Sequence, residues 1–173
     1  MASQTASIER SPSIQDLKHP ARLIALGFGS GLSKYAPGTV GTAWGWLSFN
    51  LFLAQRNDIT IAIVWLSALF FGWWACKATS DALGSLDSGH IVWDEILAFW
   101  LVLWLLGPSA FGLQLLAFLL FRFFDAAKPQ PVKWADSTFK GTGWRGAWGI
   151  IWDDLVAAFC SLLVLAVLHQ WLG

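Results

Sequence analysis

Apolar residues along the chain gather into five blocks, Val40–Ala54, Ile59–Cys76, Ile96–Leu106, Ser109–Phe124 and Ile150–Leu172, separated by short polar or glycine-bearing connections. Crossing a hydrocarbon core of about 30 Å takes on the order of 20 helical residues, and the second and fifth blocks reach that length. The first, third and fourth are shorter. Gly107-Pro108 breaks the third from the fourth, which predicts a turn there, or the tip of a helical hairpin that only partly enters the membrane. The pattern predicts an all-α fold, a multi-pass integral membrane bundle with about four to five membrane-embedded helices. Ahead of it, residues 1–22 are rich in serine and polar groups and lack an apolar core after Arg10, so they read as a flexible polar tail and not as a cleaved signal peptide. Residues 23–173 read as a single membrane-embedded domain.

Composition strengthens this picture. Hydrophobic residues make up 56% of the 173 positions and charged residues 13%, where a soluble domain carries about a quarter. Most of the thirteen tryptophans flank apolar blocks, as interface anchors do. A formal net charge of zero gives no bulk field for holding a nucleic acid. Cys76 and Cys160 lie inside apolar blocks without ligand-like spacing and read as packing or lipid-facing residues.

Charge is distributed unevenly. If all five blocks cross, the N-terminal segment, the Lys77–Glu95 connection and the Arg122–Arg145 connection share one face, and that face holds ten of the eleven basic residues. Only Arg56 is opposite. An excess of Lys and Arg marks the cytoplasmic side, so this face is expected inside the cell. Acidic residues follow the same division when Asp153 and Asp154 are counted with the face they adjoin, with only Asp58 opposite. Orientation does not demand that, because carboxylates contribute little to it. A functional site is one cause that does.

Three clusters place acids at the ends of apolar blocks: Asp94-Glu95 in GHIVWDEILAFW, Asp125 in FRFFDAAKPQP, and Asp153-Asp154 in GIIWDDLVAAF. A charge at membrane depth costs about 2.5–3.5 kcal/mol at a helix centre, less at the interface, so something must offset it. A hard divalent cation such as Mg²⁺ fits, since it takes carboxylate oxygens and shares its shell with phosphate. Neighbouring helical residues point about 100° apart, so only one member of each pair need ligate directly while the other orients or pairs with a base. The competing reading makes these acids helix-dipole or salt-bridge partners at the water line.

Bases stand beside the acids. Arg122, Asp125 and Lys128 are spaced by three, which on a helix would line one face and put a guanidinium or ammonium near a bound phosphate; the competing reading is a snorkelling cation. Two loops rich in small residues, Gly27–Thr42 and Lys140–Gly149, add candidate anion contacts. In the first, the backbone amides of Gly38, Thr39 and Thr42 run into an apolar helix whose positive end can receive phosphate. His90, four residues before Asp94, is a candidate proton donor or acceptor.

Taken together, GFGSGL (Gly27–Leu32), APGTVGT (Ala36–Thr42), IVWDE (Ile91–Glu95), FRFFD with KPQP (Phe121–Pro131) and GIIWDD (Gly149–Asp154) resemble the bacterial phosphatidylglycerophosphatase A family, in the family's order. The resemblance implies a Mg²⁺-dependent inner-membrane enzyme that removes the terminal phosphate of phosphatidylglycerophosphate, with the charged face cytoplasmic. It puts the family's acids on Asp94, Glu95, Asp125, Asp153 and Asp154, as catalytic residues and metal ligands, with Arg122 and Lys128 as basic companions. Asp81 and Asp87 also match acids of relatives. Gln130 in KPQP departs from the family by replacing an aromatic, which bears on substrate packing. The phospholipid and the bilayer are the expected partners.

No CxxxxxR loop or DxDx[TV] sequence is present, which excludes cysteinyl-phosphate and that aspartyl-phosphate chemistry. The expected mechanism is attack by a metal-activated water on the monoester, with a carboxylate nucleophile as an open variant. Two rivals from other classes remain at this stage. An ion- or proton-coupled transporter would use the carboxylates as an ion path, and a membrane scaffold would not need them.

Overall fold

A computed structural model describes residues 10–85 and 88–172. Regular structure in them is helical throughout: α1 (Pro20–Ala25), α2 (Pro37–Phe52), α3 (Asp58–Leu83), α4 (Trp93–Leu106), α5 (Phe111–Ala127), α6 (Val132–Thr138) and α7 (Gly143–Leu172), with short 3-10 segments at Ile14–Lys18 and Gly27–Leu32. Each of the five apolar blocks lies within or largely overlaps one of the long helices. Local signals set several boundaries. Asn57 caps α3 by accepting the Thr60 amide at 2.8 Å, and Gly84 ends it in the left-handed region at φ 69°. Pro37 opens α2 at a position where its missing N–H costs nothing.

Two helices, Asp58–Leu83 and Gly143–Trp171, are long and apolar enough to cross a membrane. At 1.5 Å per residue α4 is about 21 Å long, and α2 and α5 about 24–26 Å, short of a full hydrocarbon core. On α3, Ile59, Ile63, Leu66 and Phe70 recur every three or four residues and are all exposed. Phe159, Leu163 and Val167 form a similar exposed row on α7. Rows of large apolar side chains without protein cover suit an apolar solvent.

α4 lies at the centre, with nine of its 14 residues buried between α2, α3, α5 and α7. Its lower half packs Phe99, Val102 and Leu103 with Phe49, Phe121 and Ala158, and its first turns pack Trp93, Ile96 and Leu97 with Ala25, Ala75 and Ile151. Close approach of α2 is possible because Gly41 and Gly45 face it: a Cβ on Gly41 would stand 2.6 Å from Val92 Cβ, and one on Gly45 3.1 Å from Ile96 Cα. Trp100 Nε1 then donates to Gly45 O at 3.0 Å, which locks the register of the crossing.

The described part of the expected tail is folded. Arg10 and Arg22 close on the buried Asp16 at 2.6 and 2.9 Å, and the Arg10 amide donates to Leu83 O at 3.1 Å. A buried carboxylate needs such partners, and having two of them ties residues 10–22 to α1 and the end of α3. Likewise the Lys77–Glu95 connection is partly helix, since α3 runs to Leu83 and carries a Lys77–Asp81 pair at 2.8 Å. Asp87 lies outside the described residues.

The α2–α3 and α4–α5 connections meet at one end of the bundle, where Trp104 Nε1 donates to Asp58 Oδ1 at 3.0 Å. The starts of α2 and α4 and the end of α5 meet at the other.

Candidate active site

Asp94 and Glu95 occupy the first turn of α4, where unpaired amides and the positive helix end favour anions. Asp154 comes from inside α7. Packing of α4 on α7 brings these three together: one carboxylate oxygen from each lies within 4.8 Å of the others, and all three side chains are buried. Each carboxylate also keeps a buried oxygen without a hydrogen-bond partner, namely Asp94 Oδ1, Glu95 Oε2 and Asp154 Oδ2. Like charges 4.8 Å apart repel by about 3.5 kcal/mol at an effective dielectric of about 20. Buried and mutually repelling oxygens with no donors fit a hard cation, and oxygen donors are what Mg²⁺ takes.

Arg122 borders the cluster. Its Nη1 lies 2.5 Å from Asp125 Oδ2, 3.6 Å from Glu95 Oε1 and 3.3 Å from Thr42 Oγ1. Thr42 in turn donates to Gly38 O at 2.8 Å. Gly38 is needed where it stands: a Cβ there would overlap Glu95 Oε1 and come within 3.0 and 3.2 Å of Arg122 Nη2 and Nη1. Arg122 Nε is buried and unpartnered, a donor left over beside the acids. Asp125, besides holding Arg122, interacts electrostatically with Asp154 and Glu95.

Lys128 departs from the one-face arrangement expected of Arg122, Asp125 and Lys128. α5 ends at Ala127, and Lys128 is its cap in the left-handed region at φ 43°. That turn carries the ammonium away from Arg122 and onto Asp136 at 2.5 Å and Asp153 at 2.6 Å. Both carboxylates hold the Lys128 ammonium above the ordinary lysine range in spite of burial, and Lys128 with Lys140 holds the Asp136 carboxyl below its ordinary value.

The acids therefore divide by position. Both members of the Asp94-Glu95 pair join the cluster, where one would have sufficed; of Asp153-Asp154 only Asp154 does, and Asp153 faces Lys128. His90 is not in the cluster. Its Nδ1 lies 2.7 Å from Gly31 O, so the ring ties the Gly27–Leu32 segment to the start of α4. Thr39 is half-buried in the first turn of α2. Asp136 was missed in the sequence, and Lys140, 2.9 Å from it, entered only as the start of the Lys140–Gly149 loop. The i,i+4 spacing of Asp136 and Lys140 was a visible signal, but Lys128 meets Asp136 across a Pro-Gln-Pro turn that no helical period describes.

The family model described as Phosphatidylglycerophosphatase A matches residues 23–169. A phosphatidylglycerophosphatase A of Haemophilus influenzae is 34% identical over 157 residues, 90% of this chain and 93% of the relative. One of Escherichia coli is 31% identical over 159 residues, 90% of this chain and 87% of the relative. A Bacteroides thetaiotaomicron protein provisionally named as a phosphatidylinositol-3-phosphatase is 33% identical over 158 residues, 87% of this chain and 94% of the relative. No solved structure matches the chain. With its acids clustered beside an arginine and the match running nearly end to end, the chain belongs to the phosphatidylglycerophosphatase A family and is a phosphatase.

Proposed function

We propose that the protein hydrolyses phosphatidylglycerophosphate to phosphatidylglycerol and phosphate at the cytoplasmic face of a bacterial inner membrane, using Mg²⁺ held by Asp94, Glu95 and Asp154. The observation that carries this reading is the convergence of those three buried carboxylates, each with an unpartnered oxygen. Four to five embedded helices would keep the acyl chains in lipid while the headgroup reaches the charged end.

Bound there, Mg²⁺ would supply neutralisation of the phosphate oxygens and a water of lowered pKa. The chain's own residues do the rest. Arg122, oriented by Asp125 and Glu95, offers its spare donor to the phosphate, and charge-assisted bonds of this kind are the strong ones. Gly38 leaves room for that guanidinium and for Glu95. Lys128 is neutralised by Asp136 and Asp153, the latter next to Asp154 on α7. His90 has no role in this reading.

Phosphate release from phosphatidylglycerophosphate in detergent micelles, with Mg²⁺ and with EDTA, tests it directly. Release that needs Mg²⁺ and is lost in a folded Asp94→Asn protein is the expected result. A transporter would instead spread its acids through the membrane depth; here they gather at one end of the bundle. Ion flux in proteoliposomes without any lipid turnover would favour the transporter and overturn the phosphatase mechanism.

A further inference from the structure

Between α6 and the first turns of α7 lies a cavity of about 240 Å³, with Asp136, Phe139, Lys140, Ile150 and Asp153 in its lining. Asp153 of its lining interacts electrostatically with the neighbouring Asp154 of the acid cluster. The cavity's polar lining residues, Asp136, Lys140 and Asp153, are joined through Lys128 into a chain of alternating charges. Asp153 accepts from Lys128 at 2.6 Å, Lys128 reaches Asp136 at 2.5 Å, and the second oxygen of Asp136 takes Lys140 at 2.9 Å. The wall is held in place from behind: a Cβ on Gly149 would stand 2.9 Å from Phe139 O, so the Phe139–Gly141 backbone lies directly on α7.

Two ammonium groups and two carboxylates cancel in charge, so this wall does not single out a second phosphate. It offers donors and acceptors side by side. A hydroxyl group uses both, donating to a carboxylate and accepting from an ammonium. The volume is below the about 300–1,000 Å³ of sites for drug-sized ligands, and suits a three-carbon unit whose C–H groups rest on Phe139 and Ile150. An acyl chain would leave these charges desolvated and unpaired.

Resting on the reaction proposed above, we infer that this cavity receives the glycerol unit linking the two phosphates of the substrate, with Asp136 and Lys140 as specificity-determining residues. The monoester phosphate then lies at the acid cluster, and the hydroxyl of the linking glycerol lies against Asp136 and Lys140. A phosphatidic acid, whose monoester sits directly on the diacylglycerol, has no such unit to place there.

The test compares kcat/KM for short-chain phosphatidylglycerophosphate and short-chain phosphatidic acid in wild type, Lys140→Met and Asp136→Asn. Lys140 is exposed, so its replacement spares the fold. Loss of a charged hydrogen bond to the headgroup lowers kcat/KM about tenfold or more on phosphatidylglycerophosphate, several times the loss on phosphatidic acid. Equal losses on both lipids, or none on either, would overturn the inference. Binding of glycerophosphoglycerol, a diester with no cleavable monoester, to the purified protein decides the matter independently of turnover. Binding weakened by Lys140→Met supports the pocket even if wild type hydrolyses neither lipid, an outcome that sinks only the reaction. Absence of binding to folded wild type, or binding indifferent to both substitutions, overturns the pocket.

Discussion

The carboxylate of Glu95 occupies the space that a Cβ on Gly38 would fill, so the start of α2 and the start of α4 are fitted to each other at the reacting end of the bundle. Arg122 lies against the same glycine. Adding one methyl group would push both Glu95 and Arg122 out of place. Gly38→Ala is expected to lower kcat about 100-fold, the scale of a displacement of about 1 Å in a catalytic group, while helical content stays unchanged by circular dichroism. Near-normal turnover in Gly38→Ala would show that Glu95 and Arg122 need not hold these positions.

Asp154→Asn removes one of three repelling carboxylates and, in the proposed site, one metal ligand. Without divalent ions the variant is expected to be more stable than wild type, by about 2–4 °C in Tm for each kcal/mol of repulsion relieved. Adding Mg²⁺ raises the Tm of wild type through preferential binding to the folded state and raises that of the variant much less. Thermal scans in EDTA and in Mg²⁺ check both signs. A variant less stable in EDTA would mean that the three carboxylates are not under mutual strain.

Arg122 is the cation shared by Glu95 and Asp125, at 3.6 and 2.5 Å. Arg122→Ala strands both acids and is expected to destabilise the metal-free protein by roughly 3–5 kcal/mol. Adding Asp125→Ala should recover part of that loss, because one stranded charge goes with it. Additive losses in this double-mutant cycle would contradict a direct pair.

The Arg10 guanidinium, with the Ser13 amide, holds the Asp16 carboxyl well below the usual carboxylate range despite its burial. A depressed pKa contributes stability that is present above the unfolded value of about 3.9 and is lost as pH falls through the lower folded value. The Tm difference between wild type and Asp16→Asn should therefore be constant from neutral pH to about pH 5 and shrink below about pH 4. A difference that grows on acidification would have the wrong sign for this ion pair.

Much of the fold was legible because membrane-like helices announce themselves locally. The five apolar blocks became α2, α3, α4, α5 and α7, and Gly107-Pro108 separates α4 from α5 as the break predicted. Short polar elements were not legible. α1 and α6 carry no long apolar run, and Asp16 looked like part of a polar tail until two arginines from either side of it closed on its carboxylate.

Runs, spacings and motifs along the chain carry the helical blocks, the gathering of acids at their ends and the chemical family. Tertiary structure alone decided which acids meet. A helical period says which side of its own helix Asp154 or Asp153 occupies, but not what another helix brings opposite. That depends on how α4 packs against α7, around Ile96, Leu97 and Ile151, and on how closely α2 approaches α4, which the missing side chains of Gly38, Gly41 and Gly45 permit. It depends equally on the left-handed turn at Lys128, which takes an ammonium expected beside Arg122 and places it on Asp153 and Asp136.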